Sequence, residues 1–178
     1  MRVLIVFLLW SSGLVGQNYN FDRFSVGWGE KGAEWCTYML TEEMVKASVL
    51  KLERPRFKDW RGIKDRHYVG SGWDRGHLAP AKTFSFSKAN YIQTFILANV
   101  IPQSPFINQR VWKNLEEYER ELAMVERCVV VTIEVHYPEE GKKVGKVWIP
   151  SGYTRIIRSC DLREEYGRFY FRNIKERK

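Results

Sequence analysis

Histidine and cysteine are both scarce in this 178-residue sequence, which contains three of each. The cysteines, Cys36, Cys128 and Cys160, lie far apart, and none of them forms the closely spaced pair that structural zinc sites use. The composition therefore argues against a structural zinc site. In an oxidising compartment the three cysteines allow either one disulfide with one thiol left over or no disulfide at all.

Long apolar runs are also missing. The run at 3–10 holds eight apolar residues, whereas a helix that crosses a bilayer needs ~20. It follows Arg2 and precedes the small residues of 11–16, which is the plan of a secretory signal peptide with cleavage near Gly13 or Gly16. We predict a signal peptide over 1–16, one domain over 17–178, a secreted or lumenal location and no membrane association after signal removal. The segment lacks the arginines and the amphipathic pattern of a mitochondrial presequence.

Internal repeats, low-complexity tracts and an acidic excess are absent. With 44% hydrophobic residues and 15% aromatic residues, the chain has enough apolar surface to form a packed core. The formal net charge of +8 favours a polyanionic partner such as nucleic acid. Because many basic proteins have other partners, charge supports this interpretation only together with a motif.

The hydrophobic pattern predicts most of the regular structure. Residues 17–32 are polar and glycine-rich and are predicted as an extended arm or loop. Strands are predicted over 34–40, 47–52, 94–101, 128–135 and 144–149. A helix is predicted over 110–125, with Glu116 and Arg120 paired on its surface. Its predicted apolar face comprises Val111, Leu115, Tyr118, Leu122 and Val125.

The segment 53–67 is a charged excursion in which Phe57 and Trp60 stand among arginines and lysines. Such interleaving suits a groove wall that meets phosphates and bases. It equally suits a solvated loop that is anchored by two aromatic side chains. The sequence leaves both interpretations open.

The stretch 72–121 carries the residues that could act in catalysis or ligand binding. Asp74, Arg75 and His77 fall within four residues, and Asn99 and Asn108 stand in apolar surroundings where an unpaired amide is costly. Histidine is a general base near neutral pH, and arginine can bracket a phosphate with two parallel hydrogen bonds.

An amide oxygen is a suitable ligand for Mg²⁺, which prefers oxygen and keeps several waters. Glu116, eight residues after Asn108, would lie on roughly the same side of a helix and could hold metal-bound water. Base, cation, metal ligand and water-orienting acid are the components of metal-assisted phosphodiester cleavage.

Three motifs follow one another in this stretch: Asp-Arg-Gly-His, Asn-x-x-Pro-Gln and Asn-Gln-x-x-Trp-x-x-Leu-Glu. In these motifs the sequence resembles the DNA/RNA non-specific endonucleases of the ββα-metal fold, closely over about 70–120 and loosely over about 34–157. The resemblance implies an α+β fold with a mixed or antiparallel central sheet and helices packed on it. It also implies DNA and RNA as partners, and a homodimer is compatible with it.

The resemblance assigns roles residue by residue. His77 corresponds to the general base and Asn99 to the asparagine beside it. Asn108 corresponds to the sole direct ligand of Mg²⁺, with Mn²⁺ as the alternative metal, and Glu116 to the catalytic acid group that binds the metal through water. A mitochondrial member of the family makes the mitochondrion the alternative location.

The arginines are assigned less completely. Arg75 corresponds to the catalytic arginine that binds the substrate phosphate, and a further upstream arginine is either Arg54 or Arg56. Asp74 is expected to be structural, bonding the backbone or fixing Arg75. The chain ends at Lys178, earlier than usual relatives, which puts the last sheet elements and any dimer contact in doubt.

Two other functions are weighed against a nuclease. A catalytically inactive, secreted nucleic-acid-binding protein could use the same scaffold. A sulfate or phosphomonoester hydrolase is disfavoured, because many such enzymes need two metals or a covalent nucleophile.

Overall fold

The computed structural model describes residues 16–48 and 51–175. The strands, in chain order, are β1 (Gln17–Asn20), β2 (Phe24–Trp28), β3 (Ala33–Thr41), β4 (Asp74–His77), β5 (Val100–Gln103), β6 (Cys128–His136), β7 (Lys143–Val144), β8 (Val147–Trp148), β9 (Gly152–Ser159) and β10 (Glu165–Arg172). The α-helices are α1 (Glu42–Ala47), α2 (Lys88–Thr94) and α3 (Trp112–Glu126).

A six-stranded antiparallel sheet forms the centre of the fold, with strand order β1-β2-β3-β6-β9-β10. Strands β3 and β6 alternate buried and partly exposed residues, so that Tyr38 and Val131 point to the core. This alternation is what the sequence pattern predicted over 34–40 and 128–135, and both strands are confirmed. Strand β10 completes the sheet, although the sequence put its last elements in doubt.

The second structural unit is the antiparallel pair β4–β5 followed by α3. His77 lies opposite Val100 in the strand pairing, and Asp74 lies opposite Gln103. A π-helical turn, Ile107–Val111, leads from β5 into α3. The predicted helix over 110–125 is therefore confirmed, with an irregular first turn.

The buried face of α3 differs from the predicted apolar face. Tyr118 and Val125 are 38% and 76% exposed, whereas the charged residues Glu119 and Arg120 are buried. Glu119 is buried because it accepts two hydrogen bonds from Arg155 of β9. Periodicity cannot detect such a pair, since it counts charged residues as solvent-facing. Arg120 also approaches Glu117, at 3.9 Å, rather than pairing with Glu116 as predicted.

Four other segment predictions are wrong. Residues 17–32 contain β1 and β2 rather than an arm. In the segment 47–52, residues 49 and 50 lie outside the described residues, and none of the other four is in a strand, because Thr41 caps α1 and the neighbours of β3 are β2 and β6. Residues 94–101 include the end of α2 and a 3₁₀ turn before β5 begins; a continuous apolar run does not distinguish these states. Residues 144–149 contain only the tight β7–β8 hairpin.

The cysteines are divided between a disulfide and a buried thiol. Cys128 and Cys160 are bonded and connect the start of β6 to the segment after β9, whereas Cys36 is free in the core. The predicted signal peptide lies outside the described residues except for Gly16. Among the described residues, no helix has the length and apolarity needed to cross a membrane.

Candidate active site

Strand β4 places the Asp-Arg-Gly-His motif against β5. Between Arg75 and His77 only a glycine fits, because a Cβ on Gly76 would lie 2.6 Å from the Cβ of Gln103. The close approach of the two strands thus explains the glycine of the motif.

His77 lies between two phenylalanines. Its ring centroid is 5.3 Å from that of Phe57 and 5.0 Å from that of Phe95. Its Nε2 is buried and makes no hydrogen bond with any described residue. Burial, together with the positive charge of Arg54, lowers the pKa of His77 to about 3. The imidazole is therefore neutral at pH 7.

Asn99 holds the backbone that follows His77. Its side chain is fully buried; Oδ1 accepts from the backbone N–H of Ala79, and Nδ2 donates to the carbonyls of Ala79 and Thr94. The Asn99 amide is thus hydrogen-bonded to backbone groups inside the fold. The geometry is that of a residue that positions the loop behind His77.

Asn108 lies in the π-helical turn, a local geometry that is frequent at functional sites. Its Nδ2 donates to Asp74 Oδ2 at 2.9 Å, and Gln109 Nε2 donates to the same oxygen at 2.8 Å. Asp74 therefore orients the Asn108 amide. The sequence predicted that Asp74 bonds the backbone or fixes Arg75. Both predicted partners are wrong, because the Asp74 carboxylate accepts hydrogen bonds from the side-chain amides of Asn108 and Gln109.

Arg75 is held by Asp65 instead. Its Nε donates to the Asp65 carboxylate, and its Nη2 donates to the Asp65 carbonyl at 3.0 Å. The guanidinium carbon lies 5.6 Å from the Phe57 ring centroid and 5.5 Å from that of Tyr68. These contacts fix the position of Arg75 while a quarter of its side chain, 26%, stays exposed.

A groove of about 580 Å³ brings the predicted residues together. Its lining includes Arg75, His77, Asn108 and Glu116, but not the buried Asn99. Burial raises the pKa of Glu116 to about 7, with Arg155 opposing this shift and Glu119 adding to it. Among the described residues of the lining, Glu116 is the one carboxylate, beside five cationic side chains. Such a groove attracts a polyanion.

The two candidate upstream arginines occupy different positions. Arg54 lines the groove of His77, and its guanidinium carbon lies 5.5 Å from the Phe95 ring centroid. Arg56 is not among the described residues that line this groove; it lines an adjoining groove of about 560 Å³, which Arg54 and Arg75 share. The geometry favours Arg54 as the arginine beside His77.

Sequence reasoning missed several residues of the groove. Lys113 lies one helical turn before Glu116, and this spacing could have revealed it. Lys51 and Lys82 come from irregular segments, where no periodic signal exists. Asn173 was missed too: it accepts from the Ser104 N–H and donates to the carbonyls of Pro102 and Pro150, which fixes the chain just before Asn108.

Known proteins are similar to this chain in sequence and in fold. The family model described as DNA/RNA non-specific endonuclease matches residues 19–175. The chain is similar to mitochondrial endonuclease G of Homo sapiens, with 37% identity over 97 residues that cover 52% of this chain and 33% of that protein. It is similar to mitochondrial nuclease EXOG of Homo sapiens, with 42% identity over 102 residues that cover 51% of this chain and 28% of that protein.

A nuclease of Nostoc sp. is 32% identical over 98 residues, which cover 55% of this chain and 36% of that protein. The matches thus span about a third of the length of these curated relatives. The crystal structure of the EndoG/EndoGI complex superposes with a TM-score of 0.69 at 19% identity and covers 88% of this chain and 74% of that chain. The fold is therefore the α+β, ββα-metal nuclease fold, and the chain belongs to the DNA/RNA non-specific endonuclease family.

Proposed function

We propose that this chain hydrolyses phosphodiester bonds of DNA and RNA without strong sequence preference. The observation that carries the proposal is the shared groove of His77, Arg75, Asn108 and Glu116, with its excess of cations. Cationic side chains contact phosphates, which carry no sequence information, so cleavage would depend little on the bases.

The donor chemistry of the groove fits one magnesium ion. Because Asn108 gives its amide hydrogens to Asp74, its Oδ1 is available as a hard oxygen ligand. Glu116 lines the same groove and would bind such an ion through water. Within 16–48 and 51–175, no cluster of three or more His, Cys, Asp or Glu side chains could hold a metal. The ion would therefore rely on Asn108 and water, with Mn²⁺ as the alternative metal. When bound, the ion supplies positive charge that polarises the phosphate and stabilises the leaving 3′-oxygen.

His77 would act as the general base. Its Nε2 is buried, so we assign Nδ1 as the nitrogen that takes the proton of the attacking water. The rings of Phe57 and Phe95 restrict its orientation. A pKa of about 3 makes a weak base, but an anionic phosphate in the groove favours the imidazolium and raises that pKa.

Three other side chains would support the reaction. Arg75 presents its guanidinium to the phosphate and stabilises the developing negative charge, with Arg54 as the second cation. Asn99 keeps the loop after His77 in place. Because water attacks, the reaction does not need a 2′-hydroxyl, and one site can serve both nucleic acids.

Secretion is part of the proposal. The Cys128–Cys160 disulfide supports an oxidising compartment, since disulfides are rare in the cytosol. The names of several relatives instead point to the mitochondrion. Sequencing the N-terminus of the protein recovered from culture medium would test this: a start near residue 14 or 17 supports secretion, and recovery only from mitochondria contradicts it.

The activity is tested with supercoiled plasmid and with RNA, in Mg²⁺ and in EDTA. We expect Mg²⁺-dependent degradation of both substrates, and a loss of about 10²- to 10⁴-fold in His77→Ala, since this removes the base. His136→Ala is the matched control, because His136 lies on β6, outside the groove, and its Nε2 bonds Thr154 Oγ1. Circular dichroism establishes that both variants fold.

Three outcomes count against the proposal. A near-normal rate for His77→Ala would show that His77 is not the base. Intact substrates that still shift on a gel would identify the chain as a binding protein. Faster turnover of a small phosphomonoester than of plasmid would identify a different hydrolase.

A further inference from the structure

A second groove of about 440 Å³ lies beside the turn at 60–63. Trp28, Trp60, Arg61 and Lys146 contribute to its lining, and none of these residues lines the groove of His77. Its aromatic and cationic side chains are the types that contact nucleobases and phosphates.

The turn places Arg61 at the rim of this groove. Trp60 and Ile63 exchange both backbone hydrogen bonds, at 3.0 and 2.8 Å, and the two residues between them are left-handed, with φ of 46° at Arg61 and 80° at Gly62. This backbone suits Gly62 but is strained at Arg61. Strain of this kind persists where the surroundings hold the residue, and it recurs at ligand-binding positions.

The surroundings that hold Arg61 are aromatic. Its guanidinium carbon lies 4.8 Å from the Tyr19 ring centroid and 5.3 Å from that of Trp60, and Nη1 donates to Gln17 Oε1. The Trp60 ring centroid lies 4.6 Å from that of Trp28, whose Nε1 donates to the Ala98 carbonyl at 2.8 Å. The aromatic wall is therefore fixed before any ligand arrives.

The charge of the groove suits an anion. Lys146 crosses the turn, with Nζ 2.8 Å from the position that a Cβ on Gly62 would occupy. Arg61 and Lys146 thus stand together, and Glu30 is the one acid in the described lining. Two cations beside indole rings match the phosphate and the base of a nucleotide.

The second groove is close to the first along the chain. Phe57 contacts the His77 ring, and Trp60 follows three residues later, which limits the distance between their Cα atoms to ~11 Å. The Lys58 N–H and carbonyl bond Phe95 and Leu97, so the connecting segment is fastened to the strip behind His77. This limit equals the length of about three stacked nucleotides at ~3.4 Å each, so one short strand can reach from Phe57 to Trp60.

We infer that the second groove is an extended substrate subsite, in which Trp60 and Arg61 hold an unpaired nucleotide a few positions from the cleaved bond. This deepens the proposed function and rests on it. A base can stack on the indole only when it has left its own stack, so the subsite selects single-stranded nucleic acid. Its effect should appear as affinity for long single strands.

Binding is measured first, in EDTA, so that cleavage plays no part. The probe is a fluorescein-labelled oligothymidylate of about twelve nucleotides, long enough to cross both grooves. We expect Trp60→Ala and Arg61→Ala each to raise Kd about tenfold, while Trp60→Phe keeps most of the affinity. Arg163→Ala is the control for lost charge, because Arg163 is 85% exposed and lines neither groove; its Kd should not change.

A blunt duplex of the same length identifies stacking. Its bases are already stacked, so Trp60→Ala should weaken duplex binding far less than single-strand binding. An equal loss for both probes, or an unchanged single-strand Kd in folded Trp60→Ala, would overturn the subsite. If Trp60→Ala does not fold, the exposed Arg61 carries the test: an unchanged single-strand Kd in folded Arg61→Ala would overturn the subsite.

Added Mg²⁺ then separates the two proposals. Weaker binding by the variants without any cleavage by the wild type would retain the subsite and reject the nuclease. Cleavage of long single strands at wild-type KM by Trp60→Ala would retain the nuclease and reject the subsite. A dinucleotide, which is too short to reach the second groove, should be cleaved equally by wild type and Trp60→Ala.

Discussion

Helix α3 carries two glutamates one turn apart whose surroundings are opposite. Glu119 is sealed: its carboxylate accepts from Arg155 Nε and Nη2 at 2.5 and 2.7 Å and from the Tyr38 hydroxyl at 2.8 Å. Glu116 lines the groove of His77, where burial raises its pKa to about 7. The same residue type is thus hydrogen-bonded in the core at position 119 and lines a groove at position 116.

The difference lies in what compensates desolvation. Arg155 neutralises Glu119, and its guanidinium carbon also lies 4.4 Å from the Trp112 ring centroid. Arg155 also lowers the pKa of Glu116, but this effect is smaller than the effect of burial, so the pKa stays above its ordinary value. An unrelieved carboxylate in a cationic groove is poised to interact with a further cation, whereas a paired carboxylate is not.

The largest effect on stability is expected from removing the buried carboxylate of Glu119. Glu119→Ala leaves the Arg155 charge buried and should lower the free energy of unfolding by about 3–5 kcal/mol. Urea titration followed by circular dichroism measures this. In the double variant Glu119→Leu with Arg155→Met, apolar residues replace both charges, and most of the loss should be recovered.

A surface pair provides the control. Glu165 contacts Arg158 at 3.1 Å and Arg168 at 3.0 Å on the surface, where solvent screens the charges, so Glu165→Ala should cost far less stability than Glu119→Ala. An equally small cost for Glu119→Ala would mean that the buried pair contributes little to folding.

The contrast between the two glutamates also shows how far the sequence predicts the fold. Strands β3 and β6 could be predicted, because one face of each is buried and the alternation is visible. The buried charge of Glu119 could not, because its partner Arg155 lies 36 residues away and only the tertiary fold unites them. Strand β2 was missed for a related reason, since it follows a polar strand and a glycine-rich pattern hides its burial.

The fold brings together most of the residues that the motifs single out. His77, Arg75, Asn108 and Glu116 line one groove, as their motifs indicated. The sequence does not predict that Asp74 bonds Asn108, because the two residues lie 34 positions apart and meet only in the tertiary fold. The pairing of Cys128 with Cys160 depends on the tertiary fold in the same way. The family match places the chain among the DNA/RNA non-specific endonucleases.

A second prediction concerns Asp74, which orients the side-chain amide of Asn108 in the groove of His77. Asp74→Ala removes the acceptor of the Asn108 amide hydrogens, so the Oδ1 orientation is lost. We expect Mg²⁺ affinity to fall about 10- to 100-fold, which titration calorimetry and the Mg²⁺ dependence of cleavage both measure. Asp74→Asn keeps an acceptor oxygen and should retain more affinity.

Gln109 supplies the matched control for Asp74. It donates to the same Asp74 oxygen, yet we assign it no ligand role, so Gln109→Ala should change Mg²⁺ affinity only a few-fold. If Asp74→Ala and Gln109→Ala behave alike, Asp74 does not act through Asn108.

The last prediction concerns the stability effect of Glu116, which depends on pH. The folded pKa of about 7 exceeds the ordinary value of 4.5, so between these values the folded state binds more protons than the unfolded state. The carboxylate therefore destabilises the metal-free fold as pH rises from 4.5 through 7. Glu116→Gln removes this penalty.

In EDTA at pH 8, Glu116→Gln should therefore be roughly 1–3 kcal/mol more stable than wild type, and the difference should vanish near pH 4.5. Urea unfolding at both pH values measures it. His77, whose pKa is lowered, destabilises both proteins equally as pH falls from 6.5 toward 3, so it cancels in the comparison. Increased stability together with weakened Mg²⁺-dependent cleavage would mean that Glu116 is retained for chemistry at the expense of the fold. A variant that is less stable at pH 8 would instead mean that Glu116, like Glu119, supports packing.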